Sequence, residues 1–126
     1  MARTRRRLLI LPVLAALAVG AGACGEHGIQ LAENDPNYEG ARLFDENCAG
    51  CHTLDAAGAT GSATEVSSRE LRDGPNFNER AESVEDVLYA IRNGGFSSGP
   101  MPQNIVTGED AQKVAEFVAR YSGGGQ

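Results

Sequence analysis

The sequence predicts an all-α fold, three amphipathic helices joined by long loops around a thin interior. Three observations carry that prediction. Apolar side chains recur at intervals of three and four in three separate segments. No segment alternates apolar with polar residues as a half-buried strand does. Glycine-rich, irregular stretches fill the space between the helical segments. With four Phe, three Tyr and no Trp in 126 residues, side chains alone make a marginal core. Two long loops on so small an interior ask for a large buried ligand.

The chain opens on "MARTRRRLLILPVLAALAVGAGAC". Arg3, Arg5, Arg6 and Arg7 precede an apolar run from Leu8 to Val19, and small residues lead on to Cys24. A basic start, a short apolar stretch and small residues before a cut mark an export signal, expected over residues 1–23 and removed on export. The run is too short for a permanent transmembrane helix. Ala21 to Ala23 fit the A-x-A rule of ordinary cleavage and also resemble the lipobox of bacterial lipoproteins, although Ala21 stands where that box usually has Leu. If Cys48 and Cys51 act together, Cys24 is an odd thiol in an oxidising compartment, and lipidation of Cys24 would consume it. A lipoprotein anchored at the outer face of the bacterial cytoplasmic membrane is the expected form, with a periplasmic or extracytoplasmic protein cleaved after Ala23 as the alternative.

Residues 24–36 are polar and aperiodic, and read as a flexible tether. The domain proper is expected over 37–122, with 123–126 a disordered tail. Its first helix is expected over 37–51, where Ala41, Phe44, Cys48 and Cys51 share a face. The second opens at Ser83 with Asp86 three residues on, carries the stripe Val84, Val87, Leu88 and Ile91, and stops at Gly94 and Gly95. The third starts near Thr107, has Glu109 and Asp110 in its first turn, and repeats the stripe at Val114, Phe117, Val118 and Tyr121. The stretch 52–82 has little helical signal beyond 68–72, and 93–106 is irregular. Without the signal, seven basic residues face seventeen acidic ones, a formal −10 against −6 for the full chain. Such a domain does not bind nucleic acid by phosphate neutralisation; it is soluble and attracted to basic partners. A monomer is expected.

"CAGCH", 48–52, holds two of the three cysteines and one of the two histidines. Thiol–disulfide exchange by C-x-x-C needs a strand before the motif and a helix after it, whereas here a helix precedes and a glycine-rich loop follows. A structural disulfide would close only a small loop. Zinc needs four ligands, and no second cysteine pair is present. Covalent haem suits the spacing: thiols at i and i+3 of a helical turn lie together and can take the two vinyl groups as thioethers. The imidazole next in the chain then sits beneath the iron, which makes C-x-x-C-H the attachment signature of c-type haem. Cys48 and Cys51 are thereby read as tethers and His52 as the proximal ligand of one haem c.

Over residues 37–122 the sequence resembles a small bacterial class I cytochrome c. The resemblance rests on "CAGCH", on Gly40 and Phe44 in the first helix, on "GPNF" at 74–77 and on "GPMPQN" at 99–104. It implies the class I cytochrome c fold, with a small residue at 40 letting the terminal helices cross closely and an aromatic such as Phe117 or Tyr121 packed in. It implies that the Pro75 carbonyl accepts the N–H of His52 and orients it. Phe77 departs from the family's usual aliphatic residue, and 56–70 matches nothing specific. Elimination and the resemblance both give Met101 as sixth ligand, since Met1 leaves with the signal and His27 lies in the tether. The alternative for Met101 is core packing. Arg72 and Arg92 are candidate propionate donors, but solvated charges are the simpler reading.

An iron held by His52 and Met101 has no open position for substrate, and the soft thioether favours Fe(II). The expected function is single-electron transfer between respiratory-chain partners, membrane oxidase or reductase complexes, rather than enzymatic catalysis. Two alternatives stand beside it: a haem enzyme or gas sensor with a labile sixth position, and a fixed electron-transfer subunit of an oxidase or dehydrogenase.

Overall fold

A computed structural model describes residues 28–62 and 69–124. The export signal, Cys24 and His27 lie outside the described residues. The architecture is three helices with a small hairpin between the first two: α1 (Tyr38–Asn47), β1 (Thr53–Leu54), a 3-10 turn (Asp55–Ala57), β2 (Ala59–Thr60), α2 (Val84–Asn93) and α3 (Gly108–Tyr121). Among the described residues, no helix is long and apolar enough to cross a membrane.

α1 starts behind a turn in which the Asp35 carboxylate accepts the Asn37 N–H at 2.7 Å. It ends at Asn47, earlier than the expected 51. The reason is local. Both Cys48 and Ala49 donate to the Phe44 carbonyl, at 2.7 and 3.1 Å, so the ladder widens and stops. A further turn follows, in which the Cys48 carbonyl accepts from Cys51 at 3.1 Å and His52 at 3.0 Å. The two thiols therefore stand on a turn closing the helix, not on the helix itself.

α2 follows the sequence closely. Ser83 Oγ accepts the Asp86 N–H at 3.1 Å, and the Ser83 hydroxyl donates to the Asp86 carboxylate at 2.7 Å. Gly94 ends the helix in the left-handed region at φ +75, where a Cβ is disfavoured. α3 begins after Thr107 and buries Ala111, Val114, Ala115, Phe117 and Val118.

The core lies where α1 and α3 cross, with α2 packed on α3. Phe44 and Phe117 are its largest buried side chains, ring centroids 5.8 Å apart and edge-on. Gly40 makes the crossing close: a Cβ there would lie 2.5 Å from the Lys113 carbonyl oxygen and 2.7 Å from Phe117 Cβ.

The hairpin is an addition to the all-helical expectation. β1 and β2 pair antiparallel, Thr53 with Thr60 and Leu54 with Ala59, turning through Gly58 at φ +68. Two-residue strands are too short to show an alternating pattern. Of the stretch 68–72, where a helical signal is expected, the described residues 69–72 form no helix; a turn follows in which the Glu70 N–H donates to the Asp73 carboxylate at 2.7 Å. Described residues within the stretches expected as tether and tail make contacts with the domain. Gln30 N–H donates to the Ala56 carbonyl at 3.0 Å, Ile29 and Leu31 pack against the core, and Gly123 N–H donates to the Phe77 carbonyl at 2.7 Å.

Candidate functional site

A cavity of about 460 Å³ opens between the turn after α1, the 71–77 segment, α2 and the loop before α3. Cys48, Cys51, His52 and Met101 all line it, together with Phe44, Phe77, Ile91, Val114 and Val118. An apolar wall with a few convergent polar groups is the usual make-up of a cofactor site of this size.

His52 is fixed from several sides. Its Nδ1 lies 3.1 Å from the Pro75 carbonyl oxygen, which can only accept, so Nδ1 carries the proton and Nε2 the lone pair. Burial lowers the imidazole's pKa more than the Pro75 bond and the Glu82 charge raise it, so the ring is held neutral. That is the form that binds a metal. Arg80, close enough to lower the pKa further, pairs with the buried Glu82 carboxylate. Phe77 lies face-on to the imidazole, centroids 4.7 Å apart and planes at 10°. Gly74 approaches so closely that a Cβ would stand 2.5 Å from Nδ1. The Gly-Pro pair at 74–75 is thus one device: the first residue makes room, the second supplies the acceptor.

The two thiols have different surroundings. Burial, and then the neighbouring Cys51, push the Cys48 thiol up to about 12. A thiol so reluctant to ionise is a poor nucleophile for disulfide exchange near neutral pH. Among the described residues, no group of three or more His, Cys, Asp or Glu side chains is placed to hold a metal ion.

On the other side, Met101 comes from the loop between α2 and α3. Gly94, expected with Gly95 only to stop α2, also admits this loop. A Cβ on Gly94 would lie 2.8 Å from the Met101 carbonyl oxygen, and one on Gly95 3.8 Å from the sulfur, both residues having positive φ. Pro100 and Pro102 flank the methionine. Paired thiols, a neutral imidazole and a thioether around one apolar cavity are a donor set that fits a covalently attached haem.

Residues 38–122 match the family model described as Cytochrome c. The chain belongs to the cytochrome c family, and its cofactor is one covalently attached haem c. It is a monohaem c-type cytochrome of an electron-carrier family. It is similar to cytochrome c-551 of Bacillus subtilis (strain 168), 26% identical over 124 residues, covering 91% of this chain and 96% of that one. Chloroplastic cytochrome c6 of Chlamydomonas reinhardtii is 29% identical over 123 residues, 96% of this chain and 78% of the relative. The Cbb3-type cytochrome c oxidase subunit CcoP of Rubrivivax gelatinosus is 32% identical over 84 residues, 67% of this chain but only 25% of that subunit. Among solved structures, the c-type cytochrome SorU from Sinorhizobium meliloti superposes with a TM-score of 0.53 at 38% identity, covering 72% of this chain and 95% of that one.

Some site residues are invisible in the sequence pattern. Of the arginines weighed as propionate donors, Arg72 lines the cavity, beside Arg80, which nothing local in the sequence singles out. Arg92 is not among the lining residues. Ser62 is buried beside the Pro75 turn, although it sits in a stretch without a recognisable pattern.

Proposed function

We propose that this chain carries single electrons between redox protein partners at the outer face of the cytoplasmic membrane. Cys48 and Cys51 hold the haem by thioethers, His52 is the proximal ligand oriented by Pro75, and Met101 is the sixth ligand. The bound haem supplies one-electron exchange between Fe(III) and Fe(II). The protein's part is to keep His52 neutral, exclude water with an apolar wall and leave substrate no open position. The observation that carries this reading is that His52 and Met101 line the same cavity as the two thiols. The test is the absorption spectrum of oxidised and reduced protein. Low-spin spectra in both states, with the weak sulfur-to-iron band at the red edge of the oxidised one, are expected; a high-spin reduced spectrum would give the labile-site alternative.

Partners are read from surface chemistry. Leu71 and Phe96 stand at the cavity mouth, 97% and 61% exposed, in keeping with an apolar contact patch beside the haem edge. Residues 93–104 carry no charged side chain. Docking then depends on apolar fit with charge at the rim, so salt slows association modestly. The match to an oxidase subunit favours a second reading, a fixed electron-transfer subunit. Co-purification of one partner at high salt would select it over the mobile carrier.

A further inference from the structure

Ser62 reaches the site from the far end of the hairpin, and it is only 7% exposed. Its backbone N–H donates to Thr53 Oγ1 at 3.0 Å, and its Oγ accepts the Thr53 N–H at 3.0 Å. The single hydroxyl proton faces three carbonyl oxygens: Gly74 at 2.9 Å, Pro75 at 3.1 Å and Cys51 at 3.4 Å. The Pro75 oxygen is also the acceptor for His52 Nδ1–H, at 3.1 Å. A carbonyl oxygen has two lone pairs and can take both donors, but each draws on the same electron density and weakens the other.

The residue before Ser62 is held as well. Gly61 packs against the attachment turn so tightly that a Cβ would collide with the Ala49 carbonyl and stand 2.7 Å from Cys51 N. The Gly61 N–H donates to the His52 carbonyl at 3.1 Å. The hairpin is therefore bonded to the motif on one side and to the Gly74–Pro75 turn on the other.

We infer that Ser62 is a positioning residue that raises the haem potential by sharing the Pro75 carbonyl with His52. The inference rests on His52 being the iron's axial ligand. A hydrogen bond from the distal ring nitrogen to a carbonyl makes a ligating imidazole more basic, and a more basic ligand favours Fe(III). Ser62 takes part of that carbonyl's capacity, keeps the imidazole closer to neutral and so favours Fe(II). This gives a role to a loop that the family resemblance leaves unexplained.

Removing the hydroxyl separates tuning from scaffolding by sign. If Ser62 tunes, Ser62→Ala leaves the Pro75 oxygen wholly to His52. The bond tightens and the preference for Fe(II) falls about threefold, a drop of roughly 30 mV at about 59 mV per tenfold for one electron. If Ser62 only braces the turn, its loss loosens the His52–Pro75 bond, and the potential rises or stays put. The experiment is equilibrium redox titration of the holoprotein, with the His52 Nδ1–H resonance of the reduced protein as a second readout. A lower potential with a downfield-shifted Nδ1–H is expected. A higher or unchanged potential, or an upfield shift, would overturn the inference. Ser62→Thr and Ser62→Val share a shape and differ in the hydroxyl, so the Val form should lie below the Thr form even if both repack. Equal potentials in that pair would also overturn it. The ligand reading fails separately: His52 ring protons in the reduced wild type must be displaced far upfield by the porphyrin ring current.

Discussion

Phe77 lies face to face with His52, ring centroids 4.7 Å apart and planes at 10°. The same phenyl ring meets Phe44 edge-on at 6.1 Å, so the imidazole is backed by an aromatic stack running into the core. An aliphatic side chain at 77 could fill the space but offers no flat face to limit rotation of the ring. Phe77→Leu should cost about 1–2 kcal/mol, from the lost aromatic pair and a small cavity. It should also broaden the g-values of the oxidised protein in electron paramagnetic resonance, since these report ligand-plane orientation. Sharp, unaltered g-values would mean that Pro75 alone sets the ring.

Cys48→Ser or Cys51→Ser should leave haem on one thioether or lose it. Among the described residues the buried core comprises thirteen apolar side chains, five of them alanine, too thin to offset ordering entropy without the macrocycle. Haem staining after denaturing electrophoresis and far-ultraviolet circular dichroism check this. A stable, fully helical apoprotein would refute it.

Met101→Ala should open the sixth position. The wild type should bind carbon monoxide slowly or not at all when reduced, and the variant rapidly. If the thioether's preference for Fe(II) is about a thousandfold, the potential falls by roughly 180 mV at about 59 mV per tenfold. Met101→His should lower the potential while keeping the iron six-coordinate. Rapid carbon monoxide binding by the wild type would make Met101 packing.

Tyr121 donates to the Asp35 carboxylate at 3.2 Å, across the join between chain entry and α3. Burial first, then the Asp35 charge and this bond, hold its hydroxyl above the usual phenol value. The unfolded chain releases that proton near pH 10 while the folded one keeps it. The folded state then binds more protons, so this contribution is complete below about pH 10 and is lost as pH rises through the folded value. Tyr121→Phe should cost about 0.5–1.5 kcal/mol at neutral pH. It should also flatten the alkaline fall in stability. Urea midpoints of both proteins at pH 7, 9 and 11 test it; parallel curves would remove Tyr121 from the account.

Cys24→Ser should release soluble, active protein or leave the precursor uncleaved, if the chain is a lipoprotein. Detergent phase partitioning of the mature wild type is the check. Partition into the aqueous phase would favour ordinary cleavage after Ala23.

The sequence was most legible where one signal is local and unopposed. Ser83 and Gly94 bracket α2 because cap chemistry and the left-handed stop are properties of single residues. The motif 48–52 and the "GPNF" turn named the thiols, His52 and Pro75, which the fold gathers at one cavity. The end of α1 is hidden from the sequence, because apolar spacing continues through Cys48 and Cys51 whereas backbone bonding switches at Phe44. Ser62 left no trace, because its partners at 74 and 75 are twelve and thirteen residues away in an aperiodic stretch. Phe77 was visible as an unusual residue, but its stacking on His52 depends on backbone bonds to Thr53 and Gly123 that no periodicity encodes.

The approach at Gly40 also bears on how the chain folds. The crossing joins the first helix to the last, so it closes a loop of most of the domain and is a slow, non-local contact. The 48–52 turn and Phe44 lie near one end of that loop, and α3, which covers Phe44, at the other. Because the core is too thin to order without the macrocycle, α3 can settle over Phe44 only once haem is held on that turn, so attachment precedes the crossing. A bulkier residue at 40 would therefore spare attachment and fail at the later step, the closing of the terminal helices on each other.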